Sequence, residues 1–361
     1  MNTHQKRVLW WGRFDPDYSR NRILRQAYRA LGWTVSDFYP LLSVTADIQA
    51  RLQRLSRPDL VHVPCFRQRD IAAARRYSTR HGIPLIVDPL ISAYDKQVYE
   101  RAKFGPESQR ARQLLHSEQR LLQSADVLLA DTHEHARYFA ATLGVAEHKI
   151  HIVHVGAEEP LFSPPPAAPP VSPVLKDGLE ILFYGSFLGL QGPTTIVEAA
   201  RLYAGAPVHW HFLGNGPLLA ECRARAQGLS NVVFEDWLPY AQLPDRIRRA
   251  DILLGVFGTT EKAGRVIPNK IYQALACGKP VITRHAPAYP KELLENNTSG
   301  MTWVAPGDGR ALAKAVATLA RQPERLPTLG AAARATYEKY FSAATITQEL
   351  QSALQAIPGL R

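Results

Sequence analysis

The sequence predicts an α/β protein built from two Rossmann-like, doubly wound domains, and three observations support this prediction. Short apolar runs typical of buried parallel strands alternate with amphipathic helical patterns along the whole chain. A proline-rich stretch interrupts this alternation once, near the middle. The chain has 361 residues, which is enough for two domains that each bury a hydrophobic core.

The first half of the chain alternates regularly between the two patterns. The helix between Arg20 and Leu31, for example, repeats apolar residues on one face. The predicted strands are Lys6–Gly12, Val35–Tyr39, Asp59–Val63, Pro84–Val87, Val127–Ala130 and Ile150–Val153. The predicted helices are Arg20–Leu31, Asp47–Leu55, Ile71–Tyr77, Pro106–Gln123 and His133–Leu143.

The proline-rich stretch contains seven prolines between Pro160 and Pro173. Proline fixes φ and lacks a backbone N–H, so this stretch fits neither a helix nor a central strand. It predicts a semi-rigid linker over residues 163–178. The predicted domains are therefore residues 1–162 and residues 179–340, followed by a C-terminal helix within residues 341–361.

The second half resumes the alternation. Its predicted strands are Ile181–Tyr184, Val208–Leu213, Val232–Glu235, Ile252–Val256 and Val281–Thr283. Its predicted helices are Pro193–Tyr203, Pro217–Ala226, Leu243–Arg249, Asn269–Ala276, Asp308–Ala320, Leu329–Tyr340 and Ala344–Ala356. In open α/β sheets ligands bind beyond the carboxyl ends of the strands, so two such domains are expected to face each other across a ligand-binding cleft.

Composition and charge limit the function classes. The three cysteines form no C-x-x-C pair, and no apolar run approaches the roughly 18 residues that span a bilayer. Both features predict a cytoplasmic protein. The net charge is +11, and part of the excess is concentrated in a basic segment whose arginines are Arg51, Arg54, Arg57, Arg67, Arg69, Arg75, Arg76 and Arg80. Such a segment attracts an anionic membrane surface on the inner face, nucleic acid or a phosphorylated substrate, or it is simply a solvated helix surface.

Common cofactor signatures are missing from the sequence. There is no G-x-x-x-x-G-K-[ST] loop, and no G-x-G-x-x-G follows the first strand. These absences disfavour P-loop nucleotidases and nicotinamide or flavin enzymes. No H-x-x-H or H-E-x-x-H spacing predicts a metal site, and no nucleic-acid recognition motif accompanies the basic charge. We therefore expect no metal, no cofactor and no nucleic-acid partner.

Two glycine-bearing turns in the second half follow strands and lead into helices. Backbone N–H groups at such a helix start suit a diphosphate, although an ordinary tight turn has the same composition. The candidate ligand-binding residues in these turns are Gly185, Ser186, Gln191, Gly192, Gly214, Asn215 and Gly216.

A third loop carries the densest group of charged residues. Lys262, Arg265 and Lys270 are placed to neutralise a diphosphate leaving group, and Gln273 to bond sugar hydroxyls. Glu261 and Asn269 accompany them as candidate ligand-binding residues. The alternative, a helix capped by Gly278 with solvent-facing cations, does not explain three cations and a glutamate beyond a buried strand.

The motifs YGSFLGLQG, FLGNGP and PNKIYQALACGKPVIT occur in this order in the second domain. In this order they resemble the retaining nucleotide-sugar glycosyltransferases of family 4, which have the GT-B fold. The resemblance covers the whole second domain well and the first in layout. It implies a donor held by the second domain, an acceptor held by the first, and a C-terminal helix that packs back toward the first domain.

The sequence departs from the family pattern at two carboxylates. The family's glutamate that holds the ribose is Gln273 here, and its second glutamate, eight residues earlier, is Arg265. Ser186 and Gln191 stand where the family often has Arg and Lys. Under the resemblance, Lys262, Arg265 and Lys270 would take over the phosphate charge, with Lys262 and Arg265 acting in catalysis.

The first domain carries the residues that the resemblance assigns to the acceptor. Asp88 ends the fourth strand, where relatives place a His or Asp near the acceptor hydroxyl, and is the candidate catalytic carboxylate; a structural cap is the alternative. Thr132 and His133 follow the next strand as candidate acceptor-binding residues, although Asp131 or Thr132 also fits a helix N-cap. The turn at Gly12, together with Arg20 and Arg22 of the first helix, is expected to face the donor phosphates, or else solvent.

The resemblance therefore implies a retaining glycosyltransferase that moves a sugar from a UDP- or GDP-sugar to a hydroxyl. A glycan or lipid-linked glycan of surface polysaccharide is the expected acceptor. The alternative from another class is a degenerate GT-B protein that binds a nucleotide or glycan without turnover. A sugar-nucleotide epimerase and a nucleic-acid-binding protein fit the motifs less well.

Overall fold

A computed structural model describes residues 5–165, 177–295 and 298–360 of the chain. It confirms the predicted fold class, since the chain divides into two α/β units that each contain a parallel six-stranded sheet. Unit 1 comprises Met1–Gly156 with Ala343–Arg361, and unit 2 comprises Ala157–Ser342. Most of the predicted linker, residues 166–176, lies outside the described residues.

Unit 1 has the strand order β2-β1-β3-β4-β5-β6. Its strands are β1 (Arg7–Trp11), β2 (Thr34–Phe38), β3 (Leu60–Val63), β4 (Leu85–Val87), β5 (Val127–Ala130) and β6 (Ile150–Ile152). Its first six helices are α1 (Ser19–Ala30), α2 (Ala46–Leu52), α3 (Ile71–His81), α4 (Ala93–Asp95, continued by a π-helical turn at Lys96–Glu100), α5 (Gln109–Gln123) and α6 (His133–Ala141).

Unit 2 has the strand order β12-β11-β10-β7-β8-β9. Its strands are β7 (Leu179–Gly185), β8 (Val208–Gly214), β9 (Val232–Glu235), β10 (Ile252–Leu254), β11 (Val281–Arg284) and β12 (Met301–Val304). Its helices are α7 (Pro193–Leu202), α8 (Leu219–Arg225), α9 (Leu243–Arg249), α10 (Glu261–Arg265), α11 (Asn269–Ala276), α12 (Lys291–Glu295), α13 (Gly309–Ala320) and α14 (Leu326–Tyr340).

Both faces of the unit 1 sheet are buried, which explains the continuous apolar runs. Successive residues of a strand point to opposite faces. Accordingly Val8 and Trp10 of β1 enter one hydrophobic cluster, and Leu9 and Trp11 enter another. A sheet with two buried faces requires helices on both sides.

The C-terminal helix α15 (Ala343–Gln355) belongs to unit 1. Its residues Ile346 and Leu350 pack in the same cluster as Ile23 and Leu24 of α1. The carboxylate of Glu349 accepts a hydrogen bond from the backbone N–H of His154 at 2.9 Å and lies 2.7 Å from that residue's Nδ1. Apolar packing and one polar contact thus fix α15 to unit 1.

Several short elements differ from the prediction. The loop expected beyond β10 contains α10, whose N-cap Thr260 accepts a hydrogen bond from the N–H of Ala263. This short helix was not predicted because it contains Gly264, and glycine has a low helix propensity. Strand β12 was not predicted, and the helix expected from Pro106 begins instead at Gln109, where Ser108 caps it.

The strand orders locate the point in each sheet where ligands bind. In unit 2 the chain runs outward from β7 through β8 and β9, then returns to place β10 on the other side of β7. In unit 1 the corresponding reversal lies between β1 and β3. Ligands of doubly wound sheets bind beyond the carboxyl ends of the strands at such a reversal.

Candidate functional site in unit 2 and the polar cluster of unit 1

Three loops meet at the carboxyl edge of the unit 2 sheet: residues 185–192 after β7, residues 214–218 after β8, and residues 255–260 after β10. The N–H of Phe257 donates to the carbonyl of Gln191 at 3.0 Å, and that of Gly258 to Leu190 at 3.2 Å. The N–H of Leu218 donates to Phe187 at 3.2 Å. The structure therefore brings together the two glycine turns and the charged loop that the sequence nominated separately.

Glycine is required in these loops because their backbones touch. A methyl group on Gly214, Gly216 or Gly258 would overlap the carbonyl oxygen of Gly185, Ser186 or Leu190, respectively. Backbone atoms cannot move aside as a flexible side chain can. Close packing of loop on loop thus accounts for these glycines before any ligand is considered.

We expect Gly216→Ala to lower the free energy of unfolding by about 1–3 kcal/mol, the usual effect of forcing an extra methyl into a packed site. Gly189→Ala in the neighbouring turn is the matched control, because no heavy atom lies within 4 Å of the added methyl. Urea denaturation of both variants measures the difference. Equal midpoints would contradict the proposed packing of the loops.

The charged residues of α10 differ in their surroundings. Lys262 is buried, whereas the side chain of Glu261 is 94% exposed. Arg265 lies 3.4 Å from the Glu261 carboxylate, one helical turn away. A group of two cations and one solvent-facing carboxylate therefore borders the loop after β10.

Arg284, which the sequence analysis missed, fixes this loop from the end of β11. Its Nη1 donates to the carbonyl of Gly258 at 2.5 Å and to that of Thr260 at 3.3 Å. Burial lowers the pKa of Arg284 from its usual value. Its isolated position in the sequence gave no signal, because the contact joins residues 26 positions apart.

Lys270 presents a buried ammonium group. The residue is 6% exposed, and its Nζ has no hydrogen-bond partner among the residues that the structure describes. The Nζ lies 3.9 Å from the centroid of the Phe183 ring in β7. Burial lowers the pKa of Lys270 well below its usual value, because the charged form loses its hydration.

Gln273 is bonded at both ends of its amide. The hydroxyl of Tyr184 donates to its Oε1 at 2.8 Å, and its Nε2 donates to the hydroxyl of Tyr240 at 3.3 Å. That hydroxyl in turn donates to the buried carboxylate of Glu158 at 2.5 Å. The predicted contact of Gln273 with a ribose stays a prediction, and a ligand hydroxyl would have to join or replace this chain of hydrogen bonds.

Trp237 is a second residue that the sequence analysis did not nominate. It follows β9, and 59% of it is exposed. Its ring lies over the turn at Gly214, where an added methyl would come within 2.8 Å of two ring carbons. An exposed aromatic face next to a glycine turn suits stacking on a planar ligand group.

Asp88 in unit 1 is fully buried rather than accessible. Its carboxylate accepts hydrogen bonds from Nε and Nη2 of Arg20 at 2.9 and 3.3 Å, and both side chains are 0% exposed. Nη1 of Arg20 donates to the carbonyls of Val153 and His154, each at 2.7 Å. This corrects the expectation that Arg20 faces phosphates or solvent, and it places Asp88 as the buried link between α1, β4 and the end of β6.

The other unit 1 candidates are dispersed. Thr132 is buried as the N-cap of α6, accepting from the N–H of His135 at 3.1 Å, whereas His133 is exposed. Gly12 packs against the Asp70 carboxylate, and Arg22 pairs with Asp17 at 2.9 Å. The structure thus places Asp88 and Thr132 inside unit 1 and leaves His133 on its surface.

Residues 5–165, 177–295 and 298–360 contain neither a metal-binding cluster nor a membrane-spanning helix. No group of three or more His, Cys, Asp and Glu side chains is arranged to hold a metal ion. No helix in these ranges is long and apolar enough to cross a membrane.

Comparison with known proteins agrees with the architecture of both units. Residues 9–156 match the family described as glycosyl transferase 4-like domain, and residues 178–322 match the family described as glycosyl transferases group 1. A D-inositol 3-phosphate glycosyltransferase of Kribbella flavida is 30% identical over 237 residues, which cover 61% of this chain. The match spans about half of that protein, 54% of its length.

Solved structures share the fold over nearly the whole chain. Anabaena HepE in complex with UDP has a TM-score of 0.71 at 15% identity, covering 98% of this chain and 100% of its own. The sucrose-phosphate synthase of Thermosynechococcus elongatus has a TM-score of 0.69 at 18% identity, with 98% of both chains covered. Together with the two matched domains, these similarities show that the chain belongs to the family 4-type glycosyltransferases with the GT-B fold.

Proposed function

We propose that the protein is a retaining glycosyltransferase that transfers a sugar from a nucleoside diphosphate sugar to a hydroxyl acceptor. The observation that carries the proposal is the carboxyl edge of unit 2, where three tightly packed loops meet. The same unit buries the ammonium of Lys270, whose Nζ has no hydrogen-bond partner among the described residues. Buried cations without a partner are unfavourable unless a ligand supplies the opposite charge.

The chemistry follows from the charge that develops on the leaving group. Cleavage of the sugar–phosphate bond leaves a diphosphate, which Lys262, Arg265 and Lys270 together with loop N–H groups would stabilise. In the proposed route the acceptor hydroxyl attacks from the face that the diphosphate leaves, so the anomeric configuration is retained. A departing phosphate oxygen then takes the hydroxyl proton. The cationic side chains stabilise the negative charge that remains on the diphosphate.

The relatives support a particular class of donor. HepE structures contain UDP, glucose and UDP-glucose, which supports a UDP-sugar for this chain, with a GDP-sugar as the alternative. Trp237 would stack on the base. We propose a glycan or lipid-linked glycan of a surface polysaccharide as the acceptor, and a cytoplasmic site of action.

A thermal-shift panel of UDP, GDP, ADP and TDP tests donor binding directly. A ligand at 100 times its Kd adds about 2.7 kcal/mol to stability. We expect one diphosphate to raise Tm clearly and the others to have little effect. If none of the four raises Tm, the donor site proposed at the carboxyl edge of unit 2 is wrong.

Binding without turnover is the second candidate function. Two observations favour it. Arg265 and Gln273 replace two carboxylates of the family pattern, and the Gln273 amide is already hydrogen-bonded to Tyr184 and Tyr240. Slow release of free nucleoside diphosphate from the sugar nucleotide distinguishes the two candidates. Release above the rate without protein supports the enzyme, and binding with no release in the presence of acceptor glycans supports the binding protein.

A further inference from the structure

Unit 1 carries a concentration of exposed apolar side chains on one short segment. Six large apolar residues between the end of β2 and the end of α2 are from 45% to 78% exposed. They are Tyr39, Leu41, Leu42, Val44, Ile48 and Leu52, and we refer to them as the apolar patch. Scattered exposed apolar residues are normal, but a contiguous group of this kind marks an interaction surface.

Helix α2 reverses the usual arrangement of a surface helix. Its small residues Ala46 and Ala50 are buried in the core cluster of unit 1. Ile48 and Leu52, one helical turn apart, point outward. A helix that only covered a core would carry polar residues on this outer face.

The loop that carries Leu41, Leu42 and Val44 is held by specific contacts. The N–H of Leu41 donates to Oε1 of Gln49 at 2.8 Å, and Arg76 of α3 donates to the carbonyl of Val44 at 2.5 Å. The backbone therefore presents these side chains to solvent in a fixed conformation.

Exposed arginines lie on α2 and in the segment after it, and the carboxylates of Asp15, Asp17 and Asp37 lie near Tyr39. Arg51, Arg54, Arg57 and Arg80 are exposed, and none of them forms an ion pair with another described residue. The nearby acid Asp47 is 6% exposed and paired with Arg76 at 2.6 Å, which lowers the pKa of its carboxyl. On α2 and directly after it, exposed arginines thus lie beside exposed apolar side chains.

We propose that this surface docks on an anionic lipid bilayer, with the apolar patch entering the headgroup region and the arginines contacting lipid phosphates. Apolar side chains next to arginines match the two layers of a bilayer surface, apolar chains beneath anionic headgroups. A second copy of the chain is a poorer occupant, because a two-fold contact would bring the same unpaired arginines face to face. Docking does not depend on the proposed transfer reaction.

Co-sedimentation with vesicles tests the docking. We compare phosphatidylcholine vesicles with vesicles that contain phosphatidylglycerol and phosphatidylcholine in a 3:7 ratio. The wild-type chain is expected to bind the anionic vesicles and to be released by salt. The triple variant Leu41→Ser, Leu42→Ser, Val44→Ser and the double variant Arg51→Glu, Arg54→Glu should each bind at least tenfold more weakly.

Controls separate docking from the general attraction of a basic protein for anionic lipid. Leu202→Ser with Val233→Ser removes two exposed apolar residues of unit 2, and Arg310→Glu with Arg321→Glu reverses two exposed charges there. Both control variants should bind like the wild type, and all variants should unfold at the same urea concentration. Equal binding of the patch variants and the controls would overturn the proposal. So would a concentration-dependent dimer, lost in the triple variant, without vesicle binding.

Discussion

Replacing Asp88 by alanine is expected to lower the free energy of unfolding by about 3–5 kcal/mol, the usual effect of leaving one charge of a buried pair without its partner. Arg20 would remain fully buried, with its Nε and Nη2 facing the space that the carboxylate occupied. Its bonds to the carbonyls of Val153 and His154 would persist but carry no opposite charge. Urea denaturation of the purified chain, compared at equal m values, measures the effect.

The matched control is Arg22→Ala, on the same helix. Arg22 pairs with Asp17 at the surface, and exposed ion pairs contribute at most about 1 kcal/mol. The double variant Arg20→Met, Asp88→Leu should recover part of the stability, because it removes both buried charges but leaves the carbonyls of Val153 and His154 without their Arg20 donor. An Asp88→Ala variant as stable as Arg22→Ala would contradict the structural role and return Asp88 to the acceptor site.

The fold could be predicted from the sequence because strands that are buried on both faces are continuous apolar runs. The run from Val8 to Trp11 is apolar at every position, and the structure sends alternate residues to two separate clusters. Element ends were less predictable where a single side chain decides them. Helix α5 begins at Gln109 because Ser108 caps it, three residues after the start expected at Pro106.

The candidate site was predicted where it depends on turns and missed where it depends on distant partners. Glycines after strands identified the loops at the carboxyl edge of unit 2. The partner of Asp88 lies 68 residues away, and the chain from Gln273 through Tyr240 to Glu158 crosses separations of 33 and 82 residues. No local pattern encodes such pairs, so a carboxylate at a strand end looked accessible when it is buried.

Contacts between distant residues also bear on the two carboxylates of the family pattern that this chain lacks. Gln273 is a neutral residue, yet it lies two hydrogen bonds from the buried Glu158 carboxylate. Glu158 therefore supplies a negative charge close to the position where the family has its ribose-binding glutamate. Sequence spacing alone could not reveal this, because Glu158 precedes the proline-rich stretch and Gln273 lies far beyond it.

Replacing Lys270 by methionine is expected to have opposite effects on binding and on stability. Methionine keeps the length of the side chain but removes the charge. Affinity for the diphosphate selected by the thermal-shift panel should fall by about 10–100-fold, since a hydrogen bond to a charged group contributes about 1.5–3 kcal/mol. The ligand-free variant should be as stable as the wild type or more stable, because it no longer buries an unpartnered ammonium.

The pH dependence of the free energy of unfolding tests whether the Lys270 ammonium is destabilised by burial. Burial lowers the pKa of Lys270 in the folded chain below its usual 10.5. Between these two pKa values the unfolded chain binds one more proton than the folded chain, so a rise in pH stabilises the fold. The wild type should therefore gain stability relative to Lys270→Met as the pH rises toward 10.5. If the difference in their free energies of unfolding does not change with pH, the pKa of Lys270 is not lowered in the folded chain.

Lys291→Met is the control for the change of charge, because Lys291 is 84% exposed and 3.8 Å from Glu295. It should alter neither the diphosphate affinity nor the pH profile. Isothermal titration calorimetry and urea denaturation on the same three proteins give both readouts. A purely structural lysine would lose stability on substitution and leave affinity intact, whereas a residue reserved for an anionic ligand shows the reverse. Loss of stability in Lys270→Met with unchanged affinity would thus remove Lys270 from the donor site and leave the diphosphate to Lys262 and Arg265.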